Sequence, residues 1–269
     1  MGITYKLFFG ANTLLAYGRM SFQRQIAYRT ANLAGLFTNV FFLLFRGFAL
    51  GACFAGREEI GGLTQSQTLT YTTVSQALLM VIPQWGRAEV ANEVRSGQIA
   101  MDLCRPISFP AMFFARRLGG SFAFVFLRFP GVMLAGLALG FLSAPECSWG
   151  LLVVSIVLGA LICHSIILLV ELSAFWMESE RGVRYFVLGL SAVLSGLIMP
   201  LHFYPEWILA ISKWLPFEHG LYTPVRLYIG EVESVREALT MQAGWALVMI
   251  SLSFFLFWLG TRKLTIQGG

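Results

Sequence analysis

The stretch "WGLLVVSIVLGALICHSIILLVELS", from Trp149 to Ser173, decides the fold. Its apolar length exceeds the roughly 20 residues a helix needs to cross a bilayer. Only His164 and Glu171 interrupt it with ionisable groups. Working outward, five more runs of this kind read as spans: about Ala31–Phe54, Thr68–Trp85, Ser121–Leu142, Val183–Leu201 and Ala243–Gly260. The second is the weakest, because "TQSQTLTYTTVSQ" is rich in hydroxyls. Such groups can bond back to their own helix and are tolerated where helices pack. The composition agrees. Of 269 residues, 57% are hydrophobic, 12% are charged and 24 are Phe, too few charges to coat a soluble globule. The sequence therefore predicts an all-α membrane protein of six transmembrane helices in one domain spanning residues 1–269.

The Lys/Arg bias orients the spans. One set of loops and ends holds Lys6, Arg19, Arg24, Arg29, Arg87, Arg95, Arg105, Arg116, Arg117, Arg181, Arg184, Arg262 and Lys263. The other holds Arg57, Lys213, Arg226 and Arg236. This predicts both termini on the cytoplasmic side of a bacterial-type inner membrane. The net charge of +5 is mostly this bias, and it calls for no nucleic-acid partner. Trp85, Trp176 and Trp258 fall near the expected inner ends; Trp149, Trp207, Trp214 and Trp245 fall near the outer ones. Residues 1–30 read as an interfacial helix with Leu15, Phe22 and Ile26 on one face. Gly10, Asn12 and Gly18 break the first apolar run, unlike a cleavable signal. Lys6 stands where a myristoylation motif needs Ser or Thr. Cys53, Cys104, Cys147 and Cys163 show no metal spacing and read as packed thiols, with a Cys53–Cys147 disulfide as the alternative.

Residues 86–120 form the longest inner connection. "GRAEVANEVRSGQIAMDLCRP" reads as a short helix, with Val90 and Val94 on one face, Glu89 and Glu93 alongside, and Gly97 as its terminator. Pro106 and Pro110 are expected to stop a regular helix beyond it. Such a rigid, charged knuckle suits docking to a soluble partner; a connector lying on the lipid surface is the alternative. Residues 200–242 read as an outer segment. Between Phe203 and Leu215 the run is too short to span, so it is expected to be re-entrant. The polar remainder, with His219, Arg226, Glu231, Glu233 and Glu237, reads as a cap.

Ionisable residues lie inside the expected spans, where charge is costly and often functional. Arg128 and Glu171 fall at similar depth, which suggests an ion pair; snorkelling of each side chain to the inner interface is the alternative. Arg46, past the middle of the first span, reads as a pathway or interface residue, with outward snorkelling as the alternative. His164 shares a helical face with Glu171 and reads as a packed neutral side chain.

The knuckle resembles the cytoplasmic segment of ABC-2 type transporter permeases, the six-span membrane subunits of type-2 ABC exporters. The matching marks are Glu93, Gly97, Leu103, Pro106 and Ser108. A second match, "LSGLIMPLHFYPEWILAISKWLPFEHGLYTPVRLYIGE" from Leu194 to Glu231, resembles the family's end-of-span-five signature, marked by Ser195, Gly196, Pro200, Pro205, Trp207, Leu215, Pro216 and Phe217. "ERGV", Glu180 to Val183, also fits. The resemblance runs from about Arg19 to Gly230. It implies an outer helical hairpin between spans five and six, with Ser195, Gly196, Pro200, Pro205, Trp207, Pro216 and Phe217 forming an outer gate. It implies a coupling helix at Glu89, Val90, Glu93, Val94, Arg95 and Gly97, docked on a cytosolic ABC ATPase dimer, with Glu93 and Arg95 as ionic contacts. It implies a second permease copy or a paralogue. The sequence holds no GxxxxGK[ST] loop. ATP and Mg²⁺ are therefore expected on the partner ATPase, with no cofactor and no catalytic residue on this chain. The expected substrate is hydrophobic or amphipathic: a drug, lipid or peptide. An ion-driven carrier and a membrane-embedded lipid-modifying enzyme are the alternatives.

Overall fold

The computed structural model describes residues 2–83 and 88–263, with side chains from Gly10 onward. Trp85 and Arg87, and with them the end of the expected second span, lie outside the described residues; so does the side chain of Lys6. Almost everything described is helix. The helices are α1 (Gly2–Ala27), α2 (Arg29–Ala52), α3 (Gln65–Leu78), α4 (Glu89–Arg95), α5 (Ile99–Leu103), α6 (Phe109–Leu127), α7 (Phe129–Ala138), α8 (Trp149–Leu172), α9 (Arg181–Leu194), α10 (Glu206–Ser212), α11 (Pro216–Ile229) and α12 (Val235–Thr261). One small antiparallel hairpin, β1 (Glu59–Ile60) with β2 (Leu63–Thr64), turns on Gly61 and Gly62, both at positive φ.

Among the described residues, four helical stretches are long and apolar enough to cross a membrane: Arg29–Ala52, Phe109–Ala138, Trp149–Phe175 and Val235–Thr261. At the places of the expected second and fifth spans stand α3 and α9, each of 14 residues. A helix of that length covers about 21 Å, short of the roughly 30 Å hydrocarbon core. Both are followed by turns rather than by further helix.

Local chemistry sets the boundaries. Thr64 caps α3 in a reciprocal box with Gln67. The knuckle's last helix ends at Leu103, ahead of Pro106, as the sequence reading expected, but Pro110 does not keep the stretch after it from being helical. It sits in the first turn of α6, where its missing N–H has no partner to lose, so the third span starts at Phe109 instead of near Ser121. The break comes later, at Arg128, where Pro130 enters the first turn of α7. Ser234 caps α12 through the Glu237 amide, and the last helix begins eight residues before the apolar run does.

The interior is built by α3, α8 and α11. Every residue of α3 from Thr70 to Leu78 is buried, and its hydroxyls bond back along the helix: Thr72 to the Thr68 carbonyl at 2.8 Å and Thr73 to that of Leu69 at 3.0 Å. Tyr71, Val74, Leu78 and Ile82 pack there with Leu221, Tyr222 and Val225 of α11 and Ala160 and Cys163 of α8. Segment 216–229, read from sequence as part of a polar cap, is a helix buried on almost every side. Pro224 lies inside it and cannot donate to the Gly220 carbonyl four residues back. That carbonyl faces Gly159 of α8, and only a residue without Cβ lets the two helices approach so closely.

The outer surface is aromatic and aliphatic: Phe37, Phe41, Phe45 and Phe48 on α2, Tyr185 and Phe186 on α9, and Leu247 and Phe255 on α12 are exposed. Helix α1 packs lengthwise on α6, with Gly18 against Ala115 and Gly119. The Phe22 ring lies 5.8 Å from that of Phe122. Leu15 and Ile26, expected to share the apolar face of an interfacial helix with Phe22, are exposed. All four cysteines are free.

Candidate functional site

The knuckle is an elbow of two short helices. Helix α4 closes after Arg95, Gly97 takes a left-handed conformation (φ +73°), and α5 follows. Val90, Ala91 and Ile99 face inward and are buried. Val90 and Ile99 join Phe109, Met112 and Phe113 of α6 and Ile167, Leu168 and Leu172 of α8 in one apolar cluster. Burying side chains of this size stabilises by about 1.5–3 kcal/mol each, which seats the elbow firmly.

Polar contacts hold both ends of α4. At its start, the Val90 amide donates to Glu171 Oε2 at 2.6 Å. Glu171 is fully buried, and its other oxygen lies 3.5 Å from Arg117 Nη2. The same Arg117 nitrogen lies 3.6 Å from Glu89. At the end of α4, Arg95 pairs with the buried Glu180, which also lies 3.6 Å from Arg184. Burial alone pushes the Glu180 carboxyl up, but its own backbone hydrogen bond, then Arg95 and Arg184, hold it below the ordinary carboxylate range. Glu93 behaves oppositely. Partial burial, then the like charge of Asp102, raises its carboxyl against the pull of Arg116.

The residues expected to contact a partner therefore divide. Val90 and Val94 face the bundle, while Glu89 and Arg95 are engaged with Arg117 and Glu180. Glu93 is half-buried, and Gly97 is open. The exposed residues of the elbow are Glu89, Asn92, Arg95, Ser96, Gly97, Gln98, Met101 and Leu103. Sequence reasoning missed Met101, and named Leu103 as a mark of the resemblance but not as a surface residue, because apolar side chains give no sign that they face outward. It also missed Arg117 and Glu180 as partners. Basic groups gather around this end: Arg105 donates to the Tyr17 hydroxyl at 2.6 Å, and Arg116 lies 4.9 Å from the same ring.

The intramembrane charges do not meet. Arg128 and Glu171 are not a pair within this chain. Arg128 donates to the Ala31 carbonyl and to Asn32 Oδ1, both at 3.2 Å, and stacks over Phe124. The break before Pro130 turns it toward α2, while Glu171 turns toward α4 and α6. Arg46 donates to Gln76 Oε1 at 3.1 Å and to Ser75 Oγ at 3.4 Å on α3. Gln76 reaches on to Asn39 at 3.4 Å. His164 is buried with its Nε2 3.0 Å from Ser121 Oγ.

In the segment after α9, Gly196 is left-handed (φ +69°), and its carbonyl accepts the Tyr71 hydroxyl at 2.7 Å. Ser195 and Pro200 are buried. Pro205 and Trp207 are exposed at the start of α10. Pro216 opens α11 and is buried; Phe217 packs on the cluster of Ile162, Ile166, Ala246 and Met249. Tyr222 and His202 approach to 2.5 Å, and Ser212 donates to Glu218 at 3.0 Å, tying α10 and the turn before it onto α11. The seven expected gate residues thus occupy one continuous stretch but split between a buried and an exposed set.

A family model described as ABC-2 family transporter protein matches residues 40–268. No curated protein and no solved structure matches the chain.

Proposed function

Because the chain belongs to the ABC-2 transporter family, we propose that it is the membrane-spanning permease subunit of an ATP-driven exporter. ATP and Mg²⁺ are bound and ATP is hydrolysed on a separate cytosolic ATPase dimer. This chain works with a second permease, identical or paralogous. The substrate is hydrophobic or amphipathic, and it crosses the inner membrane outward. The end of the bundle carrying α4 and α5 is cytoplasmic, as are both termini. The gathering of Arg95, Arg105, Arg116, Arg117 and Arg184 at that end supports this orientation.

One observation carries the reading. The α4–α5 elbow is seated by buried Val90 and Ile99 while Gly97, Gln98, Met101 and Leu103 stand exposed at the end of the bundle. A helix buried on one side and open on the other is suited to fit a groove on a soluble partner. A lipid-modifying enzyme needs convergent acids, bases or nucleophiles. His164, Glu171 and Arg128 have separate partners, which weighs against that alternative.

The test is copurification from detergent with candidate P-loop ATPases from the same genome, for the wild type and for Met101→Glu and Gln98→Ala. Capture of an ATPase that the variants lose supports the reading. A stable chain that captures none overturns it and favours an ion-driven carrier.

A further inference from the structure

Helix α4 stands between α3 and α6 in sequence, yet its closest helical packing is against α8 and the Ser173–Phe175 turn that follows it. Glu171 is in the last turn of α8, where a carboxylate opposes the negative end of its own helix dipole. It is also fully buried, and a desolvated charge is costly to keep. Neither cost is explained by α8 itself. Both are offset in part by α4 and α6: the Val90 amide, at the positive start of α4, donates to one oxygen, and Arg117 faces the other. At the far end of α4, Arg95 reaches Glu180, the residue that precedes α9. Glu180 is itself buried and held ionised.

We infer that α4 is fastened at both ends, by Glu171 to α8 and by Glu180 to the start of α9, so that a displacement of α4 is carried into two helices remote from it in sequence. Glu171 and Glu180 are positioning residues for this transfer. The inference rests on the reading of α4–α5 as the ATPase-docking elbow. It assigns the output of that elbow: α8, which forms part of the buried interior, and α9, which leads to the Gly196 turn against Tyr71.

Hydrogen exchange read by mass spectrometry tests it, first on the full chain in nanodiscs and then on its complex with the ATPase dimer. Glu171→Ala is expected to raise exchange of the α4 amides about tenfold, the scale of one lost charge-assisted hydrogen bond, with α12 unchanged. Glu171→Gln keeps an acceptor for the Val90 amide and is expected to give a smaller rise. In the complex, ATP is expected to alter exchange across residues 168–184 in the wild type and not in Glu171→Ala. Unchanged α4 exchange in Glu171→Ala overturns the fastening. An ATP response at 168–184 that survives in that variant overturns the transfer. If α12 also loosens in Glu171→Ala, Glu180→Gln gives the same reading from the other end: faster exchange at 93–95 supports the fastening, and none overturns it. Failure of the wild type to capture an ATPase overturns the function proposed above, while α4 exchange in the chain alone still decides the fastening.

Discussion

The hydroxyl of Tyr71, midway along α3, donates to the carbonyl of Gly196, 125 residues later and 2.7 Å away, inside the protein. The left-handed turn at Gly196 aims that carbonyl at the ring. A Cβ at this position meets the Tyr71 hydroxyl and the Tyr222 ring. One glycine therefore joins α3, α9 and α11.

Two substitutions test this junction. Tyr71→Phe leaves the Gly196 carbonyl buried and unpaired, and is expected to cost about 1–2 kcal/mol. Gly196→Ala is expected to cost more, since a left-handed alanine adds about 1–2 kcal/mol to the overlap with Tyr71 and Tyr222. Thermal midpoints in detergent should fall in that order. Equal midpoints for wild type and Gly196→Ala refute the junction.

Glu93 and Glu180 should respond to acid in opposite ways. The Glu93 carboxyl is raised, so its ionised form costs stability at neutral pH, and the cost vanishes below the ordinary carboxylate value of about 4.3. Glu93→Gln is thus expected to match or exceed the wild-type midpoint at pH 7, with the difference gone by about pH 4. On the proposed docking role of the elbow, the same variant should capture the proposed ATPase partner several-fold less well. A lower midpoint at pH 7 contradicts the burial argument.

Glu180 is held below the ordinary range, so its contribution is full above that value and is lost as pH falls through its lowered one. Arg95→Ala and Glu180→Ala should each speed exchange in α4 at pH 7. The double variant should be no worse than the more severe single, and the effect should fade on acidification. Strict additivity argues against the pair.

Arg46 has neutral partners, Gln76 and Ser75, and no acidic residue among the described ones pairs with it. An apolar residue of similar length removes a desolvated charge without stranding another. Arg46→Met is expected to keep or raise the thermal midpoint while lowering the ATP-driven transport proposed above, and Arg46→Lys to retain part of it. Full activity in Arg46→Met makes Arg46 a packing residue.

Gly18 and Gly119 bring α1 and α6 into backbone contact. Gly119→Leu is expected to lift α1 and expose the break at Tyr28 to limited proteolysis, leaving fragments with α2–α12 intact. An unchanged digestion pattern refutes a close packing of the two helices.

The long apolar helices were legible because the signal is local. The run opening at Trp149 is a helix from Trp149, and the first expected span, Ala31–Phe54, is displaced by only two residues in α2. Boundaries set by polar residues were not. Ser234 starts α12 ahead of its apolar run, and Pro110 lies in the first turn of α6, a helix that the sequence reading started only near Ser121. Helix α11 escaped notice because Glu218, His219 and Thr223 look solvent-facing in sequence. In the fold Glu218 is met by Ser212 and Arg226, Thr223 and His219 Nδ1 meet each other, and the Gln242 side chain donates to the His219 carbonyl, while His219 Nε2 is buried without a hydrogen-bond partner among the described residues.

By itself the sequence determined the membrane setting, the charge bias between the two ends, the elbow at Gly97 and the resemblance that the family match bears out. Each depends on neighbours in the chain: apolar length, a loop's basic content, a glycine after a short helix. Only the tertiary structure decided which charges meet. Arg128 and Glu171 share a depth, but the break before Pro130 turns the arginine to Asn32. Glu171 takes Arg117 and the Val90 amide instead. Depth in a membrane is read from length along one helix. Partnership is set by the angle at which each helix presents its side chains to the others, and that angle is fixed only when the helices pack.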